Sequence, residues 1–168
     1  MAETPEAGGG RSPAIAYGLA VGVIAADQLV KAWILNGLML PLRLSVPVMG
    51  PLKLTMVWNQ GVSFGLLRAD HDLSRWLLTA FSLGVAAVLA WWARTAQKPL
   101  VAVGLGLIMG GAVGNAIDRI RFGAVVDFLD VTGLMFPWVF NVADSAISIG
   151  VVCLLLDSLR KEPASARA

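Results

Sequence analysis

Two motifs in this sequence place an amide and a carboxylate three residues apart, Asn115–Asp118 and Asn141–Asp144. Residues at that spacing share one face of a helix, so both groups of a pair can act at the same place. Two carboxyl groups at close range cannot both ionise, so such a pair shares one proton. The charged member can then deprotonate a water molecule, and the neutral member can protonate a peptide carbonyl. The motifs therefore indicate acid–base chemistry that requires no metal, thiol or histidine.

Further polar residues accompany these motifs in a chain that is otherwise apolar. Asp27 and Lys31 are one helical turn apart and are predicted to form a structural ion pair that orients the site. Asn59 and Gly61 lie where a strand-like segment meets a span, and an amide there can orient a peptide backbone because it offers a donor and an acceptor together. Asp127 follows an alternating run that returns the chain to the membrane surface. A carboxylate near a bilayer core costs about 2.5–3.5 kcal/mol and marks a functional site by default.

The composition is that of a polytopic membrane protein. Of the 168 residues, 57% are hydrophobic and 14% are charged, whereas a typical soluble domain is about 25% charged. The mean hydropathy is +0.74, and the net charge of +2 is too small to indicate a nucleic-acid partner. Cys153 is the single cysteine and His71 the single histidine, so an intramolecular disulfide and a thiolate-cluster metal site are excluded. We expect no metal and no cofactor.

Four apolar runs are long enough to cross a bilayer, which takes about 20 residues. They fall at 14–36, 73–93, 99–117 and 137–157. We expect them to form one four-helix membrane domain over 13–159, with disordered tails at 1–12 and 160–168. An even number of spans places both termini on one side. Basic residues divide evenly between the two faces, and only the short basic loop 94–98 favours a cytoplasmic location for its face.

The segment between the first two spans has a different pattern. Within 38–70, the stretches 40–47 and 53–58 alternate apolar and polar residues, with Pro and Gly between them. This pattern predicts two or three short strands. Open strand edges cannot lie in lipid, so the strands should rest on the membrane surface, on the same face as 121–139. The expected fold class is therefore an all-α membrane protein of four transmembrane helices with a small extramembrane β-rich insert.

The third span carries small residues four positions apart, at Gly106, Gly110 and Gly114. This spacing lets helix backbones approach closely and favours helix packing. A ligand groove against bare backbone is the alternative.

Taken together, the polar motifs resemble those of the lipoprotein signal peptidase family, also called signal peptidase II. The resemblance covers about 14–158, and no motif position departs from the family pattern. It rests on four motifs in order, namely Asp27…Lys31, Asn59-x-Gly61-x2-Phe-Gly, Asn115-x2-Asp-Arg…Val-Val-Asp-Phe and Phe-Asn-x-Ala-Asp.

The resemblance implies a bacterial inner-membrane aspartic endopeptidase that uses no cofactor. It matches Asp127 and Asp144 to the catalytic pair. It matches other polar positions to residues that bind substrate or inhibitor or support the site, namely Asn59, Gly61, Asn115, Asp118, Arg119 and Asn141. The family cleaves prolipoproteins just before a diacylglyceryl-modified cysteine and is inhibited by globomycin.

The same resemblance implies an active site towards the periplasmic face, with both termini in the cytoplasm. The expected partners are the lipid-modified prolipoprotein and membrane lipid, and a monomer is expected.

The residues alone leave two other classes open. A proton-coupled transporter or channel also uses intramembrane Asp residues, but here the carboxylates cluster towards one face, and no ionisable residue lies between Trp76 and Ala93. A non-enzymatic scaffold that uses the glycine face would leave the paired amide–carboxylate motifs unexplained. A protease predicts that the carboxyl oxygens of Asp127 and Asp144 lie within hydrogen-bond reach, whereas a relay predicts carboxylates strung through the bundle at different depths.

Overall fold

The structure is a computed structural model that describes residues 11–61 and 71–160. Within this part of the chain, four helices are long and apolar enough to cross a membrane, which confirms the predicted fold class. A short helix follows the first of them. The helices are α1 (Arg11–Ala32, continued by a π-helical turn, Trp33–Gly37), α2 (Leu40–Arg43), α3 (His71–Ala93), α4 (Pro99–Phe122) and α5 (Val142–Leu159). Residues 62–70 of the expected insert and most of the two expected tails lie outside the described residues.

The third and fourth spans do not have the bounds expected from hydropathy. The third span was expected at 99–117, but α4 continues to Phe122. The next residue, Gly123, ends the helix, because it adopts a left-handed conformation (φ 77°) and its N–H donates to the carbonyl of Arg119. The expectation for the fourth was 137–157, but α5 begins at Val142, because Asn141 is its N-cap.

The start of the first helix also differs from the expectation. The sequence suggested a disordered tail over 1–12, but α1 begins at Arg11. The hydroxyl of Ser12 donates a 2.9 Å hydrogen bond to the carbonyl of Gln97 in the loop between α3 and α4. This bond ties the beginning of α1 to the neighbouring helices.

A four-stranded antiparallel sheet lies at the end of the bundle where α1 ends and α5 begins. Its strands are β1 (Ser45–Met49), β2 (Leu52–Asn59), β3 (Val125–Asp130) and β4 (Val139–Phe140), paired in that order. Only β1 and β2 belong to the expected insert, because β3 and β4 come from the connection between α4 and α5. The pairing of β2 with β3 places Val57 opposite Asp127 and Asn59 opposite Val125.

An apolar cluster fixes the sheet to the helices. Ile34 from the π-helical turn, Leu40 from α2, and Val126 and Phe128 from β3 are all buried in it. Side chains alternate along a strand, so Asp127 points to the opposite side of β3 from Val126 and Phe128. The cluster thereby holds β3 with its carboxylate directed towards the ends of α4 and α5.

Helix α4 lies at the centre of the bundle, in contact with α1, α3 and α5, and its glycines allow α1 and α5 to approach closely. A Cβ atom on Gly110 would lie 2.6 Å from Cβ of Val23 in α1, and one on Gly104 would lie 2.9 Å from the carbonyl of Gly150 in α5. These glycines therefore serve helix packing.

Exposed aromatic side chains mark the two ends of the bundle. Tyr17, Trp91 and Trp92 lie at the end where α1 begins, and Trp33 and Trp76 lie at the end that carries the sheet. Tryptophan and tyrosine are enriched at both membrane–water interfaces. The two groups are therefore where the interfaces of a bilayer would lie, with the sheet just outside the hydrocarbon region.

Candidate active site

The carboxylate of Asp127 lies on β3, at the junction of the sheet and the helices. Its side chain is buried, with 2% of its surface exposed. Oδ2 accepts a 3.0 Å hydrogen bond from Nδ2 of Asn59 on the paired strand β2. Oδ1 accepts a 2.7 Å hydrogen bond from Nδ2 of Asn141. Two amides from different elements therefore fix both oxygens of this carboxylate.

The carboxylate of Asp144 lies in the first turn of α5. It takes part in a capping box, in which Oδ2 accepts a 3.2 Å bond from the backbone N–H of Asn141, while the Asp144 N–H donates to Oδ1 of Asn141 at 2.9 Å. Its other oxygen, Oδ1, accepts a 2.7 Å bond from Nδ2 of Asn115 in α4. This carboxylate is therefore also held at both oxygens, one by the N-cap of its own helix and the other by Asn115 of α4.

Asn141 contacts both carboxylates. Its Nδ2 donates to Asp127, and the same group lies 3.2 Å from Oδ1 of Asn115 and 3.3 Å from the carbonyl of Val126. Its backbone N–H donates to Oδ2 of Asp144, and its Oδ1 accepts from the backbone N–H of Asp144. A single buried amide thus links the strand that carries one carboxylate to the helix that carries the other. The spacing of Asn141 and Asp144, which suggested a shared helix face, is instead that of a helix cap and its third residue.

The environment of Asp127 raises the pKa of its carboxyl group from 3.8 to about 6. Burial is the largest cause, and the negative charge of nearby Asp144 is the second. The hydrogen bonds from Asn59 and Asn141 and the charge of Lys31 oppose the increase without cancelling it. Asp127 therefore exchanges a proton in a pH range suited to acid–base chemistry.

A buried ion cluster lies directly behind the two carboxylates. Nζ of Lys31 is 2.8 Å from Oδ2 of Asp27 and 2.6 Å from Oδ2 of Asp118, and all three side chains are at most 2% exposed. The ion pair between Asp27 and Lys31 is present, and Asp118 is a third member that the sequence did not indicate. Gln28 completes the cluster, because its Nε2 donates to Oδ1 of Asp118 at 3.0 Å.

Gly114 makes room for this cluster between α1 and α4. A Cβ atom at Gly114 would lie 2.7 Å from Oδ2 of Asp27. This glycine, which the sequence suggested only as part of a packing face, therefore also admits a carboxylate to the helix interface.

The remaining predicted residues line the same place. Oδ1 of Asn59 accepts from the N–H of Gly61, which forms a turn where β2 leaves the sheet. The guanidinium of Arg119 lies within electrostatic reach of both Asp127 and Asp144. Its Nε is buried and has no hydrogen-bond partner among the described residues.

Two further polar residues lie near the site. Asp130 takes no part in it, and Arg75 supports it although the sequence gave no indication of this. Asp130 turns away, because its oxygens accept hydrogen bonds from Thr55 and Thr132 at 2.6 Å each, and these bonds lower its pKa. Arg75 of α3 donates from Nε to the carbonyl of Arg119 at 2.7 Å and so binds the end of α4 that carries the site. A lone basic residue at the start of an apolar span gave no signal for this role.

Four carboxylates, those of Asp27, Asp118, Asp127 and Asp144, belong to one network at the end of the bundle that carries the sheet. Lys31, Asn115 and Asn141 connect them. Among residues 11–61 and 71–160, no group of three or more His, Cys, Asp or Glu residues could hold a metal ion.

Comparisons with known proteins identify the family of this chain. The family model described as signal peptidase (SPase) II matches residues 19–160. The chain belongs to the signal peptidase II family. A lipoprotein signal peptidase from Caulobacter vibrioides is 56% identical over 149 residues, which are 88% of this chain and 88% of that protein. One from Methylorubrum extorquens is 46% identical over 85% of this chain and 84% of its own.

A solved structure of a membrane enzyme has a similar fold. A bacterial membrane enzyme solved by the in meso method at 1.9 Å resolution has a TM-score of 0.75 and 28% identity, over 89% of this chain and 95% of its own. Membership of the signal peptidase II family makes the chain a membrane-embedded aspartic peptidase. The prediction of an enzyme, in preference to a transporter or a scaffold, is confirmed.

Proposed function

We propose that this signal peptidase II removes signal peptides from prolipoproteins by cleaving before a diacylglyceryl-modified cysteine, with Asp127 and Asp144 as the catalytic pair. The observation that supports the pair most directly is that Asn141 contacts both carboxylates, Asp127 through its Nδ2 and Asp144 through its backbone N–H. Asn59 and Asn115 hold the other oxygen of each. The arrangement supplies two carboxyl groups of different environment at one place. That is what acid–base hydrolysis of a peptide bond requires.

In the proposed reaction Asp127 holds the shared proton and Asp144 is the carboxylate. The negative charge of Asp144 contributes to the raised pKa of Asp127, about 6, and two donors stabilise Asp144 as an anion. Asp144 takes a proton from water as the water oxygen bonds to the scissile carbonyl carbon. Asp127 gives its proton to the carbonyl oxygen, and a gem-diol forms.

Collapse of the gem-diol completes the cleavage. The carbon–nitrogen bond breaks, the proton held by Asp144 passes to the nitrogen of the modified cysteine, and one hydroxyl proton of the diol returns to Asp127. The products are a signal peptide with a new carboxyl group and a lipid-modified chain with a free amine. The guanidinium of Arg119, which lies within electrostatic reach of both carboxylates, would donate to the peptide that flanks the cut.

The position of the site suits a substrate anchored in the bilayer. The diacylglyceryl chains would lie in the outer leaflet and the signal helix among the spans, so the scissile bond is presented at the level of the sheet. Holding both ends in this way lowers the entropic cost of positioning the bond. We propose that this end faces the periplasm, that both termini are cytoplasmic, and that the enzyme acts as a monomer in the cell inner membrane. The basic loop that joins α3 to α4 at the opposite end favours this orientation.

The direct test is cleavage by the purified protein in detergent micelles. We expect a diacylglyceryl-modified prolipoprotein to shift to the mature size on a gel, and globomycin to block the shift. The matched control substrate is the same precursor without the lipid, which should not be cut. A folded enzyme that leaves the modified precursor intact would contradict the activity, and equal cleavage of both precursors would contradict the requirement for lipid.

The pH dependence tests the assignment of the proton to Asp127. The pair loses its last proton as the pH rises through the pKa of Asp127, about 6 in the free enzyme, so kcat/KM should fall above that pH. The hydrogen bond from Asn59 lowers this pKa. Asn59→Ala should therefore move the alkaline limb to higher pH. An unmoved limb, or a shift to lower pH, would assign the titration to another group.

A further inference from the structure

We propose that Lys31 is a positioning residue for the catalytic pair, because it fixes Asp27, Asp118 and Asn115 in the orientations that hold the two carboxylates in place. The inference rests on the proposed function. It extends the ion pair that the sequence predicted to orient the site, because it adds Asp118 and Asn115 as contacts of Lys31 and assigns the cluster a measurable part in catalysis.

One arm of the cluster holds the strand that carries Asp127. Oδ2 of Asp118 lies 2.6 Å from Nζ of Lys31. The same oxygen accepts a 3.1 Å hydrogen bond from the backbone N–H of Val126, the residue directly before Asp127. The ammonium group therefore fixes the acceptor to which this strand is bonded.

A second arm holds the helix that carries Asp144. Oδ2 of Asp27 lies 2.8 Å from Nζ of Lys31, and its Oδ1 accepts a 3.0 Å hydrogen bond from the backbone N–H of Ala143. Ala143 directly precedes Asp144, and its N–H belongs to the first turn of α5, where no intrahelical partner is available. The two arms thus end at equivalent positions, one residue before each proposed catalytic carboxylate.

A third arm sets the orientation of an amide. Nζ of Lys31 donates to Oδ1 of Asn115 at 3.3 Å, and an ammonium group has donors only. The oxygen of this amide must therefore face Lys31, which turns its NH₂ group towards Oδ1 of Asp144 at 2.7 Å. A flipped amide would leave Asp144 without this donor.

Stability alone is a weak explanation for such a cluster. A buried ion group is often no more stabilising than apolar residues of the same volume, because desolvation offsets the attraction. Here each of the three arms ends on a proposed catalytic carboxylate or on the residue before one. A displacement of about 1 Å at such groups can lower the rate about 100-fold.

The experiment compares two variants of Lys31 with a control pair at the other end of the bundle. Lys31→Met removes the ammonium group, and the double variant Lys31→Met/Asp27→Asn also removes one negative charge, so the local net charge is unchanged. An asparagine at 27 can still accept from Ala143. The control is Lys98→Met, because Lys98 pairs with Asp157 at 3.3 Å in a partly exposed position and contacts none of the proposed site residues.

The expected result is a loss of turnover in protein that remains folded. The double variant should purify as a single species with a cooperative melting transition, and its kcat should be lower by about 10- to 100-fold. Its KM should stay within about twofold of wild type, because the peptide-contacting groups are unchanged. Lys98→Met should match wild type in kcat, KM and pH profile.

The pH profile supplies a measurement that a purely structural role would not change. Three charged side chains surround Asp127, namely Asp144 of α5, Lys31 of α1 and Arg119 of α4. The charge of Lys31 lowers the pKa of Asp127. The alkaline limb of kcat/KM should therefore move to higher pH in Lys31→Met, and by less in the double variant, which also loses the negative charge of Asp27. Asn59 and Asn141 also contact Asp127 and are unchanged in it.

Three outcomes would overturn the proposal. The first is wild-type kcat in a folded double variant. The second is a loss of activity that equals the fraction of unfolded protein and leaves the pH limb unmoved. The third is failure of both Lys31 variants to fold while Lys98→Met folds, which would assign the cluster to stability alone. Absence of cleavage by wild type is a different result, because it would contradict the proposed function itself.

Discussion

Cleavage should stop when either proposed catalytic carboxylate is replaced by its amide. Asp127→Asn removes the proton that reaches the carbonyl oxygen, and Asp144→Asn removes the base that activates water. Loss of one member of a catalytic group that acts as a unit lowers kcat by about 10⁴-fold or more. The gel-shift assay on the diacylglyceryl-modified precursor, with long incubation, measures this loss directly.

Stability separates this effect from misfolding. Folding raises the pKa of Asp127 from 3.8 to about 6, so ionisation of this group at neutral pH favours the unfolded state. Asparagine removes that cost but keeps only one acceptor oxygen for the two amide donors. Because the gain and the loss oppose each other, we expect Asp127→Asn to melt close to wild type at neutral pH. An inactive protein of undiminished melting temperature is the signature of a functional group.

Asp157→Asn is the matched control for both variants. Asp157 lies on α5, the same helix as Asp144, but at its opposite end, where it pairs with Lys98. Its replacement should leave turnover unchanged, and EDTA should not affect the wild type. Retained turnover in either Asp127→Asn or Asp144→Asn would remove that residue from the mechanism, and inhibition by EDTA would reopen a metal mechanism.

The membrane fold could be predicted because hydropathy is a local property of the sequence. Four long apolar runs can satisfy their backbone groups in lipid only as helices, and the structure has four such helices. The predicted ends of the helices were less accurate, because capping residues determine where a helix begins and ends. Gly123 ends α4 five residues later than hydropathy suggested, and Asn141 delays the start of α5.

Half of the sheet could not be predicted, because strand pairing is a long-range property. The alternation in 40–47 and 53–58 indicated β1 and β2, but nothing local states that β2 pairs with β3, about 70 residues later. That pairing brings Asn59 to Asp127.

The site residues were recognisable by type, but their connections were not. An isolated charge in an apolar run signals a buried polar site, and this signal located Asp27, Asp118 and Asp144. It could not show that Lys31 contacts two carboxylates on different helices. The spacing of Asp27 and Lys31 predicted the contact between these two residues. The contact between Lys31 and Asp118 could not be predicted, because it depends on the close approach of α1 to α4 at Gly114.

Asn141 is the residue whose replacement should have the next largest effect, because it acts in two ways. Its Oδ1 caps α5 by accepting from the N–H of Asp144, and its Nδ2 donates to Asp127. Asn141→Ala removes both contacts, whereas Asn141→Ser keeps a good helix cap but has no amide donor. The two variants therefore separate the helix cap from the link between the carboxylates.

We expect both variants of Asn141 to lose at least about 100-fold in kcat, because Asp127 loses a donor that holds it against Asp144. Only Asn141→Ala should also lose the free energy of the cap, about 1 kcal/mol, seen as a lower melting temperature. Kinetics and thermal unfolding on the same preparations distinguish the cases. If Asn141→Ser is as active as wild type, the amide serves only to start the helix, and the orientation of Asp127 must depend on Asn59 and the sheet.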